Sequence, residues 1–197
     1  MTQTNARFLS LTWSFSPFTA LSRRFSNLLL ASAFLCNYLN AHSAPSSPSL
    51  EYEVKAAFLL NFTRFVEWPA TSFASPDAPL VICMAGEDPF GPAIDQIVEG
   101  ESVNGHRIIV ERIRSDQQKL CHVLYTANTR NLVSTLPAAG PGVLTVGEGS
   151  EFTQQGGIIA FVLDNRHVRF DVNLKAAATA GLKLSSKLLS VARSVEK

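Results

Sequence analysis

The hydrophobic positions of this chain fall into periodic and continuous runs, and together they predict an order of elements. Over 51–67 apolar residues recur at helical spacing. At about 100° per residue, Glu53, Asn61, Arg64 and Glu67 share a polar stripe, with Tyr52, Phe58, Leu59, Phe62, Phe65 and Val66 opposite. Ser49 can cap that helix, and Pro69 stops it by disfavouring helical geometry at Trp68. Lys55 breaks the pattern, projecting beside Phe62 in the middle of the apolar face. The run LVICMA at 80–85 is apolar throughout and bounded by Pro79 and Gly86, the mark of a strand covered on both faces. A loop over 86–91 follows, in which Asp88 and Pro89 read as the cap and first turn of a helix through Ala93, Ile94, Ile97 and Val98.

Further along, strands are expected at 107–113, 122–126 and 143–146, with a helix capped at Asn128 and ending before Pro137. Two alternating runs, 158–163 and 167–172, read as a hairpin across Asp164, Asn165 and Arg166. A last helix is expected over 173–195, because Leu174, Ala177, Ala178, Gly181, Leu182, Ser185, Leu188, Leu189 and Ala192 fall on one face. Gly181 sits at the centre of its small residues, as in a helix laid closely on a sheet. Strands alternating with helices imply an α/β fold. The expectation is a three-layer sandwich with a mostly parallel sheet, an edge β-hairpin and a long C-terminal helix.

The first 44 residues do not share this pattern. Three of the 17 basic residues and none of the 16 acidic ones precede Glu51, so the chain beyond it carries a net charge of −2. Arg23 and Arg24 are followed by an apolar run over 28–35 and then by small residues at Ala41 and Ser43. That is the layout of a Sec-type signal peptide, so residues 1–44 are expected to be a leader and 45–197 a single periplasmic domain. Cys36 follows Phe34 and Leu35, where a lipidation motif wants small residues. The near-neutral charge argues against a nucleic-acid partner. A hydrophobic content of 46% against 17% charged residues excludes a disordered chain.

Beyond the leader two cysteines remain, Cys83 and Cys121. In an oxidising compartment an even pair reads as a disulfide, and two buried thiols are the other reading. The chain carries no HExxH, CxxC, GxSxG or GxxxxGK[ST] pattern, and His106, His122 and His167 stand far apart, so no metal, cofactor or catalytic residue is expected. Asp88 and Glu148 could meet as ligand-binding carboxylates at the carboxyl ends of strands; otherwise they are a helix cap and a solvated loop residue. Lys55 either snorkels out of its apolar face or meets a buried acid, a ligand or a partner. Phe65 and Trp68 at the helix end, with Phe161, Leu163, Val168 and Phe170 of the hairpin, are either core or a partner-binding patch.

Three segments, YEVKAAFLLNFTRFVEWP (52–69), GVLTVGEGSEFTQQGGIIAFVLDNRHVRFDVN (142–173) and LKAAATAGLKLSSKLLSVA (174–192), resemble the YfiR family of periplasmic regulators, and LVICMAGEDPFG (80–91) fits it too. The resemblance implies a non-catalytic repressor. Such a protein binds the periplasmic sensory region of an inner-membrane diguanylate cyclase, lowering cyclic-di-GMP and biofilm formation. An OmpA-like outer-membrane lipoprotein and a second copy of the chain join the expected partners. The alternative reading is a periplasmic small-molecule binding or sensor module feeding a transporter or a two-component kinase.

Overall fold

Residues 50–114, 121–127, 136 and 139–197 are described by the structure, a computed structural model. The expected leader lies outside them, as does the helix expected from Asn128, apart from Leu136. The described residues belong to one compact unit, Ser47–Lys197.

The opening helix is α1 (Leu50–Phe65), with Glu51 and Glu53 in its first turn and Arg64 in its last, charges that complement the helix dipole. The chain leaves it through β1 (Val66–Glu67), a 3-10 turn at Ala70–Ser72 and β2 (Leu80–Ala85). Then come α2 (Pro92–Val98), β3 (Ser102–Val103), β4 (His106–Ile113), β5 (Val123–Thr126) and β6 (Leu144–Glu148). After the single turn α3 (Glu151–Gln154), β7 (Ile159–Asp164) and β8 (His167–Asn173) form the expected hairpin. Its turn residues Asn165 and Arg166 both have positive φ (49° and 65°), as a two-residue hairpin turn requires.

Among the described residues eight strands form the main sheet. Its order is β10-β8-β7-β6-β5-β2-β4-β3, where β10 is Ser194–Glu196. The five central strands, β7, β6, β5, β2 and β4, run parallel. Strands β8 and β3 pair antiparallel at the two ends, and β10 lies parallel on the outer side of β8. Alternation along β2 sends Leu80, Ile82 and Met84 to the front, where α1 and α2 pack, and Val81, Cys83 and Ala85 to the back. At the front Phe62 stacks on Phe161 at 5.7 Å and meets Phe170 edge-on at 5.0 Å. At the back, Cys83 on β2 is joined to Cys121, with Cα atoms 5.7 Å apart. The disulfide reading of the two cysteines therefore holds.

Two glycines explain why α3 can sit so close to the back of the sheet. The buried ring of Phe152 lies between Gly147 and Gly157, and a Cβ on either would come within 2.3 Å or 2.1 Å of it. Any side chain there would displace the ring.

The C-terminal segment departs from the expectation of one long helix. Helix α4 (Leu174–Thr179), capped by Asn173, stops where Gly181 turns to φ +75°. The Gly181 and Leu182 amides donate to the Ala178 and Ala177 carbonyls, closing the helix end. Strand β9 (Lys183–Leu184) then pairs with β1, and Ser185 caps α5 (Ser186–Val191) before the chain reaches β10. The inward residues of the expected face, Ala177, Leu182 and Leu188, do reach the core, but by three short elements. Gly181 is also not packed tightly: a Cβ there would meet nothing within 4 Å, and its left-handed backbone is what asks for glycine.

Candidate functional site

The carboxyl ends of the parallel strands gather one buried polar cluster, on the side of the sheet where chain crossovers diverge from β2 toward β4 and β5. The first two turns of α1 lie over these ends. Lys55 is only 2% exposed. Its Nζ donates to Glu51 one turn earlier and, at 2.8 Å, to Oε2 of Glu148 at the end of β6. The ammonium also stands 4.6 Å from the Tyr52 ring centroid, within cation–π range. The other oxygen of Glu148 accepts the Tyr125 hydroxyl of β5 at 2.7 Å. Tyr125 is fully buried and meets Phe90 edge-on at 4.7 Å, and Phe90 in turn meets Tyr52.

The electrostatics of this group favour fixed charge. Burial works against the Lys55 ammonium, yet hydrogen bonds and attraction from Glu148 and Glu51 outweigh it and raise its pKa above the ordinary lysine value. Burial and the adjacent Glu148 carboxylate push the Tyr125 phenol up as well. Lys55 stays an ammonium and Tyr125 a neutral donor, so neither is poised as nucleophile or base near neutral pH. The cluster is a staple between helix and sheet.

Asp88 does not join Glu148. Its Oδ1 accepts from the Phe90 and Gly91 amides at 2.8 and 3.2 Å, and its Oδ2 accepts from Arg112 Nε at 2.9 Å. Arg112 also holds Asp95 and donates to the Gly91 carbonyl at 3.0 Å, which fixes the loop after β2 to the next strand. The expected carboxylate pair is thus divided between two cations, Arg112 for Asp88 and Lys55 for Glu148. Among the described residues no cluster of three or more His, Cys, Asp or Glu could hold a metal.

The proposed partner patch divides in the same way. Phe161 and Phe170 are 0% and 1% exposed, locked against Phe58 and Phe62, so they offer no surface to a partner and belong to the core. Leu163 is 56% exposed, and Val168, opposite it in the hairpin, is half-buried. Phe65 is half-buried at the end of α1, and its carbonyl accepts from the Ser185 amide. Trp68 is half-buried too, and its Nε1 donates to the His122 carbonyl at 3.3 Å.

Sequence spacing missed a second cluster at the opposite ends of the strands. His106 and His122, far apart in sequence, flank the same ring: Phe73 lies 3.7 Å from His106 and 4.4 Å from His122, nearly parallel to both. His122 is buried, accepts the Val81 amide at Nδ1 (3.1 Å) and donates from Nε2 to the Ser72 carbonyl (3.0 Å). That bonding fixes the neutral tautomer, and burial lowers the pKa of its imidazole. The cluster has no local signal, since it rests on β2, β4 and the segment before β5 lying side by side.

The profile of the YfiR/HmsC-like family (DUF4154) matches residues 52–193. The chain belongs to the YfiR/HmsC-like family. The match covers α1 from Tyr52 onward, every strand of the sheet except β10, and both polar clusters apart from Glu51. No curated protein matches the chain. Among solved structures, a conserved domain protein from Vibrio cholerae O1 biovar El Tor str. N16961 is similar at 12% identity and a TM-score of 0.45, covering 74% of this chain. This YfiR/HmsC-like chain aligns with 60% of that one. No helix among the described residues is long and apolar enough to cross a membrane.

Proposed function

We propose that this protein is exported by the leader over 1–44 and acts in the periplasm as a stoichiometric repressor. It would bind the sensory region of an inner-membrane diguanylate cyclase and so lower cyclic-di-GMP and biofilm formation. The observation that carries the reading is the family match over 52–193. The polar cluster at the strand ends agrees with it, because Lys55, Glu51, Glu148 and Tyr125 are bonded to one another rather than aimed at a substrate. With a net charge of −2 beyond Glu51, long-range steering is weak and contact must rest on apolar surface. Of the hairpin residues, Leu163 is the one that offers it, with Val168 beside it.

The test is genetic and then biochemical. Deleting the gene should raise cyclic-di-GMP and surface attachment, and the mature protein should co-purify with a cyclase from detergent-solubilised membranes. Leu163→Asp should derepress the cyclase with an unchanged melting temperature. The same co-purification reads out an OmpA-like lipoprotein or a second copy as further partners. Unchanged cyclic-di-GMP in the deletion strain, with the cyclase expressed, would overturn the reading.

A further inference from the structure

The aromatic cluster at the amino ends of the strands borders a cavity of about 380 Å³, within the size range of small-ligand clefts. Its walls include Trp68, Phe73 and His106, with Glu67 and Asn104 beside them and buried Leu80 behind. Among these lining residues there is no lysine or arginine.

Each aromatic wall is held in place by bonds that have nothing to do with a ligand. The Trp68 indole is tied to the His122 carbonyl, and Phe73 is clamped between two imidazoles. His106 Nδ1 lies 2.6 Å from the Ala78 carbonyl. A carbonyl only accepts, so Nδ1 carries a proton and the ring is held in place. Asn104 stands at positive φ in the β3–β4 turn, directly before His106 and Gly105. Glu67 is exposed, lies opposite Lys183 in the β1–β9 pair, and makes no ion pair among the described residues.

With both faces of Phe73 covered by imidazoles, the Trp68 indole is the ring left for a cation; together with one carboxylate and no lysine or arginine in the lining it makes a cavity that favours positive charge. An anionic ligand would be repelled by the carboxylate and a neutral one would gain at most a hydrogen bond from it, whereas an ammonium gains both charge attraction from Glu67 and cation–π attraction from Trp68. We propose that this cavity is a binding site for a small organic ammonium ion, with Trp68 as its aromatic wall and Glu67 as its counter-charge. The proposal stands apart from the repressor reading, since a ligand site here is compatible with either success or failure of cyclase binding.

The chain has two tryptophans, and Trp13 lies in the expected leader. In the full chain carrying Trp13→Phe, fluorescence therefore reports Trp68 alone. Choline and ethanolammonium should each be titrated against 3,3-dimethylbutan-1-ol, the uncharged isostere of choline. At least one ammonium should shift the Trp68 emission saturably and bind about tenfold or more tightly than the alcohol. Glu67→Gln, at an exposed position, should weaken that binding severalfold while leaving the melting temperature in place. Calorimetry on Trp68→Leu, checked for folding by circular dichroism, should show no heat of binding. Equal affinity for the alcohol, no saturable change with either ammonium, or full affinity in Glu67→Gln would overturn the proposal.

Discussion

Replacing Lys55 by Met tests whether the helix–sheet staple stabilises the fold. The substitution keeps most of the buried stem and removes the ammonium, leaving Glu51 and Glu148 facing each other without a cation. Breaking a fully buried ion pair costs about 3–5 kcal/mol. Here the carboxylate side chains retain 33% and 24% exposure, so water replaces part of the lost partner and about 2–3 kcal/mol is expected. For a domain of this size that loss lowers Tm by about 4–12 °C. Adding Glu148→Gln to Lys55→Met should recover part of the loss, with a coupling of about 1–3 kcal/mol in the double-mutant cycle. The pH dependence gives a second readout. The folded pKa of Lys55 is raised, so its contribution is complete below the unfolded value of about 10.4 and is lost as pH climbs through the higher folded value. The wild type should therefore have an alkaline limb that Lys55→Met lacks. Urea unfolding of the oxidised protein, followed by circular dichroism, measures all of these quantities. A loss under about 0.5 kcal/mol, or strictly additive substitutions, would refute the reasoning.

Three further predictions concern other parts of the fold. Reducing Cys83–Cys121, which closes a loop of 38 residues, should cost up to about 4 kcal/mol, read as a lower urea midpoint with reductant; unreduced denatured protein should show no alkylatable thiol at either position. Gly157→Ala places a methyl against the Phe152 ring and should cost about 3 kcal/mol, with Gly147→Ala close behind; a thermal melt unchanged in both would mean that α3 does not pack as described. His122 has a lowered folded pKa, so its contribution is complete above the unfolded value of about 6.5 and declines as pH falls below it, by at most about 1.4 kcal/mol per pH unit. His122→Leu should be less stable at pH 7 but should lack this part of the acid slope, and parallel slopes for the two proteins would count against the assignment.

LVICMA was legible because it is bounded by turn formers and buried on both faces, and the hairpin runs because they alternate across Asp164, Asn165 and Arg166. Helix α1 was legible from its stripe. The last segment was misread because one apolar face at helical spacing is also what two short helices and a strand turned toward the same core produce. Only the left-handed backbone at Gly181 and the cap at Ser185 break the helix, and both residues also sit acceptably on a small-residue face. At the site, Lys55 and Glu148 each stood out alone, but they lie 93 residues apart and meet only once α1 is laid on the strand ends. Asp88 looked like a partner for Glu148 because both follow strands, while Arg112, which claims Asp88, reads in sequence as one more charge on a strand. The histidine pair was hidden for the same reason: neither sits near Phe73 in sequence, and the sheet brings all three together.

The seam between β2 and β5 divides the main sheet into an early half and a late half of the chain. The early half nevertheless lends its first helix to the late half, since Phe58 and Phe62 of α1 cover Phe161 and Phe170. It also reaches across through β1 to β9 and through Lys55 to Glu148, and Cys83–Cys121 ties the two sides covalently. A single scission between residues 114 and 121 would therefore leave two pieces still clasped and still linked, each holding part of what buries the other. Such a nick would pass unnoticed in a non-reducing gel and release the halves only when the disulfide is reduced and the clasp is denatured.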